Sequence, residues 1–473
     1  LIDSQQPGTP GWRLDRLVKK LAELRPEYQR LDDYYTGVAA CPQLATARAR
    51  EAFRRLMSIS RTNYAELVVE AVRERLKPVG FRTGADGDEN GDSEAWRIWQ
   101  ANQLDADAAI VHRWALTMRD AYCIVGPVDP EIGAPLISIE DPRYMTVEYD
   151  PARRRKVTAA VKLVCNPDLG LDVAYLYLLQ NGRAWVLRAA RSAGTHEFAS
   201  IDGMEWVDEQ RLPFDTIPVV GFHNQMSDRS WGEFEKHIAT LDRINYGILN
   251  RLEIATLQAF KQRALKGGPT HDPVTGEEVD YADIFAAGAG AIWKLPDGAD
   301  MWESGQVDLG PLQKSIRDDV QDLAASTRTP LFYLTPDAAN GSAEGASLAR
   351  EGLVFKAEDR QTEFGESWEQ VESLAFLYQG DQQRASRGDM EVIWAPVERF
   401  SLAEKYDAAS KAGPAGVPWR TTMEQVLGYS PQQVDRMEAE RTADALLSPE
   451  TAPAVTGFPP GSSTTTVPVP VGG

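Results

Sequence analysis

The stretch WGEFEKHIATLDRINYGILNRLEIATLQAFKQRALK, Trp231 to Lys266, decides how the rest of the chain is read. Phe234, Ile238, Leu241, Ile244, Ile248, Leu252, Ala255 and Ala259 recur at steps of three and four, which lines one apolar stripe along a helix. At about 1.5 Å per residue such a helix is roughly 50 Å long. A compact domain of ordinary size cannot cover that length with its own core, so part of the stripe must be covered from outside the chain. A turn-rich segment, 267 to 308, separates it from a second helical stretch, Leu309 to Arg328, which Pro330 ends. The loop LFYLTPDAANGSAEG follows, with its small and polar residues at the tip. From Ala346 a third helix pattern runs through Leu348, Phe355, Phe364, Trp368, Val371, Leu374 and Leu377.

Composition bounds the function. With 473 residues and 43% hydrophobic content the chain can build cores in several units. A formal charge of −20 argues against a static grip on nucleic acid, which needs clustered Lys and Arg to neutralise phosphates. The same charge suits a conduit through which DNA slides without sticking. Cys41, Cys123 and Cys165 follow no metal or redox spacing, which points to a reduced, intracellular setting. No apolar run reaches the roughly 18 residues that span a bilayer, and LIDSQQPGTPG at the start is no signal peptide, so a soluble, cytosolic protein is expected.

The pattern upstream is mixed. Helices are predicted over Trp12 to Tyr35, Ala45 to Met57, Tyr64 to Lys77, Glu94 to Gln103 and Ala106 to Arg119, with a short strand at Val79 to Arg82. From Tyr122 to Asn224 the period changes to two, with Asp-Pro, Asn-Gly and Gly-rich turns between runs. That predicts an antiparallel meander whose strands pair with sequence neighbours. Further short strands are expected at Ala291 to Leu295 and in MEVIWAPV, and short helices over 401 to 447. The segment after Ser448, rich in Pro, Thr and Gly, cannot bury enough apolar area to order itself. The fold class is α+β.

Several strings, in this order, resemble tailed-phage portal proteins of the siphophage type: GFRTG with EAWRIWQANQLDA, IEDPRYMTVEYDP, LPFDTIPVVGFHN, RINYGILNRLEIATLQAFKQRAL, TRTPLFYL with NGSAEGASLAREGLVFKAEDRQTEFGESWEQ, and FSLAEKYDAASKAG with LGYSPQQV. The resemblance spans roughly residues 15 to 447. It implies a portal-type fold: an N-terminal wing (1–230) of helices then antiparallel strands, a first stem helix (231–266), a small clip (267–308), a second stem helix (309–328), a tunnel loop (329–345), a long helix with a strand (346–396), a helical crown (397–447) facing the capsid interior, and a disordered tail (448–473).

The function implied is a homododecameric ring at one capsid vertex, through which double-stranded DNA passes without sequence specificity. Implied partners are the terminase large subunit, a head-tail adaptor or connector protein, and the major capsid and scaffold proteins. Thr335, Asp337, Asn340, Ser342 and Glu344 would face the channel in the tunnel loop. Lys261, Arg263, Lys266, Lys314 and Arg317 would line the stem channel or pair between subunits, and Asp272, Glu277, Tyr281 and Trp293 would dock partners at the clip. No cofactor and no metal is expected.

Other constellations have plainer readings. Asp86, Asp88, Asn90 and Gly91 open like an EF-hand loop, but Arg97 stands where the bidentate Glu belongs, so a solvated acidic loop is the better reading. GASLA at Gly345 to Ala349 lacks the final Gly and the preceding strand of a nucleophile elbow, and Ser347 reads as a helix-start residue. His112, His196, His223, His237 and His271 show no metal spacing. No P-loop occurs, so any work of packaging comes from another protein. Arg153, Arg154, Arg155 and Lys156 read as a solvated hairpin turn. Twelve tryptophans raise a carbohydrate-acting enzyme, but Trp96, Trp99, Trp114, Trp231 and Trp368 lie in helical patterns, where core packing is the commoner role. A different ring-forming adaptor or minor capsid protein is the remaining alternative.

Overall fold

Thr9 caps the first helix, α1 (Pro10–Tyr35), by accepting a hydrogen bond from the Trp12 amide, and Pro10 supplies a preset φ at the first position. The computed structural model to which this helix belongs describes residues 2–39, 58–85, 91–192, 198–225, 229–259, 263–267, 270–272, 274–278, 300–303, 305, 307–335, 343–398 and 402–447. The helix expected over Ala45 to Met57, most of the acidic loop, the strand expected at Ala291 to Leu295 and the tail after 448 lie outside the described residues. The chain divides into two compact units, residues 1–404 and 405–473.

In the first unit, α2 (Tyr64–Arg73), β1 (Pro78–Arg82), α3 (Ser93–Ala101) and α4 (Leu104–Met118) follow the predicted order, though α2 stops short of Lys77. The strands are β2 (Asp120–Asp129), β3 (Ala134–Glu140), β4 (Met145–Asp150), β5 (Arg153–Asn166), β6 (Leu171–Gln180), β7 (Arg183–Ser192), β8 (Glu205–Arg211) and β9 (Val219–His223). They form two antiparallel sheets, β4-β5-β6-β7-β8 and β3-β2-β9. The simple meander is corrected at two places: it breaks between β3 and β4, which lie in different sheets, and β9 crosses back to pair with β2. The run Ala121 to Val125 explains this, because its side chains are buried on both faces and such a strand belongs at a sheet's centre.

The period of two along β2 sorts its side chains between two cores. Tyr122 and Ile124 join Met145, Val147 and Val219 between the two sheets. Cys123 and Val125 face the helical core with Phe222, Trp99, Phe364 and Trp368. On the far side of the larger sheet, Leu14, Leu17, Val18 and Leu21 of α1 cover Val161, Leu163, Ala174 and Leu176. Further along α1, Tyr28 and Leu31 belong to the helical core, so this one helix ties both cores together. Trp99 and Trp368 are fully buried and meet edge to face at 4.8 Å, which is packing rather than a sugar platform.

Past β9 the helix expected from Trp231 to Lys266 is shorter at both ends. After a 3-10 turn (Glu235–His237), α5 runs Ile238–Ala259, and Arg263–Lys266 is a strand, β10, paired antiparallel with β11 (Asp300–Glu303). The start is held out of the helix because the Glu233 amide donates to the Leu116 carbonyl and the Trp231 amide to that of Asn224. At the other end, Arg263 lies opposite Glu303 and Lys266 opposite Asp300, a register of opposite charges that suits cross-strand pairing.

The next helix, α6 (Gly310–Thr327), ends on Arg328 in the left-handed conformation, and Leu331–Leu334 forms one helical turn, α7, where a loop was expected. The long helix α8 (Ala343–Gln379) begins before Ser347, which is therefore not a helix-start residue. The last strand, β12 (Glu391–Trp394), pairs with β1.

The second unit takes in most of α9 (Leu402–Ala412), then α10 (Trp419–Thr421), a π-helical stretch (Thr422–Leu427) and α11 (Pro431–Leu447). Arg420 holds it together, with Asp435 at 2.7 Å, Glu424 at 2.9 Å and Glu438 at 3.3 Å.

Candidate functional site: the helical hairpin and its junction with the long helix

Helices α5 and α6 pack as a hairpin, and its two halves differ. Near the body, Leu241, Ile244, Ile248 and Leu249 of α5 meet Val320, Leu323 and Ala324 of α6, all buried. Polar contacts clamp the same region: Arg243 Nε lies 2.8 Å from Asp319, Tyr34 Oη donates to Asp242 at 2.8 Å, and the Thr62 amide donates to Asn245 at 3.0 Å. Away from the body the burial stops. No described side chain of α5 beyond Leu249 is buried, and none of α6 before Val320. Ile254, Leu252 and Ile316 are only half covered, and Trp302 of β11 is 60% exposed. The apolar stripe thus outruns the chain's own core.

Where the hairpin meets α8, a charge cluster is buried. Glu233, just ahead of α5, receives Lys356 Nζ at 2.5 Å and Arg360 Nε at 3.0 Å, both from α8. Lys356 also donates to the carbonyl of Thr327, the last residue of α6, at 3.0 Å. One lysine therefore joins the segment ahead of α5, the end of α6 and the long helix α8. Burial alone would raise the Glu233 carboxyl, but the two cations hold it below its ordinary value. No sequence motif marks this cluster. A signal existed: Arg360 shares the helical face of Leu353, Ala357 and Phe364, an unusual place for a charge.

The expected site residues fall in several places. Thr335 closes α7, half-buried, with its hydroxyl donating to the Leu331 carbonyl at 3.2 Å. Glu344 lies in the first turn of α8, while Asp337, Asn340 and Ser342 lie outside the described residues. Lys314 and Arg317 are exposed on the bare part of α6, and among the described residues neither forms an ion pair. Arg263 and Lys266 stand on β10, and Lys261 lies outside the described residues. Asp272 and Glu277 close one tight turn, the Asp272 amide donating to the Glu277 carbonyl at 2.8 Å. Tyr281 and Trp293 are likewise outside the described residues.

Other candidates are accounted for structurally. Asp92 caps α3 and receives Thr83 and Arg384, and Arg97 pairs with Glu94. His112 accepts from Trp368 Nε1 at 2.9 Å in the core. His223 donates from Nδ1 to Asp120 at 2.6 Å and accepts from Tyr149 Oη at 2.5 Å. Burial would raise Asp120, yet the His223 and Tyr28 hydrogen bonds keep it low. Among the described residues no group of three or more His, Cys, Asp or Glu side chains could hold a metal ion, and no helix is long and apolar enough to cross a membrane.

The chain is similar to known proteins over most of its length. The family described as "Phage portal protein, SPP1 Gp6-like" matches residues 14–445. The portal protein of Mycobacterium phage D29 is 27% identical over 411 residues, covering 82% of this chain and 80% of the relative. That of Mycobacterium phage L5 is 26% identical over 407 residues, with the same coverage. Among solved structures, a chain from the neck of an empty GTA particle, computed with C6 symmetry, matches with a TM-score of 0.44 and 14% identity, over 84% of this chain and 98% of the other.

Proposed function

We propose that this chain, which belongs to the SPP1 Gp6-like phage portal protein family, closes with copies of itself into a dodecameric ring at one capsid vertex, with the stem hairpins side by side. Phage portal proteins are structural, non-enzymatic components of the virion, and the DNA path for packaging and ejection is their place in it. In this reading α5 and α6 are the stem, the segment between them with β10 and β11 is the clip, and residues 329–345 form the tunnel segment on which α8 follows. The clip docks the terminase large subunit during packaging and an adaptor or connector protein afterwards. Capsid and scaffold proteins contact the ring from the head side.

The observation that carries the reading is the half-covered hairpin. A helix pair whose outer halves bury no described side chain gains apolar burial when neighbouring copies pack against it, and a head-to-tail contact that closes makes a ring. Net charge fits the passage of DNA, because a surface that neutralises few phosphates releases few counterions and gives little drag. Hydrogen exchange tests the burial: amides at 252–259 and 310–319 slow on assembly if neighbours cover them. Exchange at equal rates in free and assembled protein removes this role for the hairpin.

A further inference from the structure

A groove runs along α8 against the β4–β5 turn and the segment leading into α5. It consists of two hollows of about 760 and 550 Å³ that share Gln225 and Glu363 as walls. Ser367 and Glu363 of α8 line the first hollow opposite Tyr149 and His223, whose mutual hydrogen bond fixes that wall. Arg154, Arg155 and Arg229 line the same hollow, and Lys236, Arg328, Lys356 and Arg360 line the second. Against these stand Asp150, Glu233, Asp359 and Glu363, of which Glu233 is already held by Lys356 and Arg360, and Glu363 by Arg155. Arg154, Arg229, Lys236 and Arg328 remain exposed, and among the described residues none of them forms an ion pair. In a chain of net charge −20 this is a reversed patch.

The larger sheet carries its complement at the opposite edge. Its order, β4-β5-β6-β7-β8, puts the groove beside β4 and β5, while β8 is the far edge and pairs only with β7. Every residue of β8 is exposed, including Trp206 and Val207. The strand bears Glu205, Asp208 and Glu209 against one cation, Arg211, with Arg188 of β7 opposite Asp208, and among the described residues neither Asp208 nor Glu209 forms an ion pair. An open edge with apolar side chains is a surface that proteins normally cover. A continuous polyanion such as DNA fits the groove less well, since Asp150, Asp359 and Glu363 would face its phosphates.

We infer that β8 of one copy docks in the basic groove of the next, so that the two edges of one sheet form a head-to-tail contact around the ring. Opposite faces on opposite edges are what a heterologous interface needs in order to propagate and close. This rests on the ring reading above and names a face that reading leaves open.

Charge exchange tests it. Native mass spectrometry at several salt concentrations should show that Arg154→Glu with Arg229→Glu raises the concentration needed for assembly by about tenfold or more. Asp208→Lys with Glu209→Lys should do the same, and mixing the two variants should restore hetero-assemblies, because each supplies the charge the other has lost. Far-UV circular dichroism checks that each variant is folded. As a second arm, Arg154→Cys and Asp208→Cys in separate isotope-labelled copies should form a disulfide between copies. If the parent protein assembles while both variants assemble equally well, or if neither the mixture nor the cysteine pair forms the contact, the interface is wrong. A parent protein that never assembles overturns the ring reading itself.

Discussion

Gly247 of α5 faces Ile316 of α6 so closely that a Cβ on residue 247 would lie 2.9 Å from Ile316 Cγ1. No side chain fits there unless the Ile316 side chain shifts, so this glycine permits the close approach of the two helices at that point. Gly247→Leu should pry the helices apart and destabilise the fold by about 1–3 kcal/mol, the usual cost of overpacking. Thermal unfolding measures the loss, and the combination with Ile316→Ala should recover part of it. Equal melting of Gly247→Leu and the parent would show that the two helices are not held at this distance.

The buried cluster where α5, α6 and α8 meet gives a second expectation. Glu233→Ala leaves Lys356 and Arg360 without their carboxylate and should cost about 3–5 kcal/mol. Replacing all three with apolar residues should cost less than that single change, since no buried charge is then left unpaired. Denaturant unfolding checks the order of the two variants. Because the carboxyl is held low, its contribution is present above the ordinary Glu value of 4.5 and is lost as pH falls below it.

Two other buried groups predict a pH profile. Burial lowers the pKa of His112 to about 3, so the stability tied to its neutral form is complete above 6.5 and is lost as pH falls from there toward 3. Burial raises the Glu372 carboxyl well above 4.5, and neither of its oxygens has a hydrogen-bond partner. Its effect has the opposite sign: stability is lost as pH rises above 4.5, because the unfolded chain gives up a proton that the folded one keeps. Glu372→Met should therefore stabilise the protein by about 1–3 kcal/mol near pH 8 and by less near pH 4.5. Melting curves at the two pH values decide it, and an equal gain at both would contradict the assignment.

In the role proposed for residues 329–345, small polar side chains and little positive charge suit a crowded axis along which DNA moves. Deleting residues Asp337 to Ser342 should leave assembly intact and impair DNA packaging or retention in a phage carrying the variant. Normal packaging would remove the role.

Much of this fold was legible in sequence because its elements are strongly periodic. The stripes of α1, α5 and α6 and the alternation of β6 each declare themselves within one window. What stayed hidden depends on distant partners. RALK at Arg263–Lys266 consists of good helix formers, yet pairing with Asp300–Glu303 makes it a strand. The crossing of β9 to β2 and the joining of β1 to β12 likewise rest on residues far apart in the chain. The cluster of Glu233, Lys356 and Arg360 escaped for the same reason: Glu233 and Lys356 read as surface charges until the fold buries them, and the place of Arg360 on an apolar face names no partner. The sites of the clip and tunnel were read from family resemblance, and they are tested by function.

Electron microscopy of the purified chain tests the central claim most directly, since a hairpin with no described side chain of its outer half buried should be covered by neighbours. The prediction is closed rings with a central hole wide enough for duplex DNA and with stem hairpins packed against one another. A uniform population of monomers at concentrations where capsids assemble, with the outer halves of α5 and α6 still bare, would contradict it.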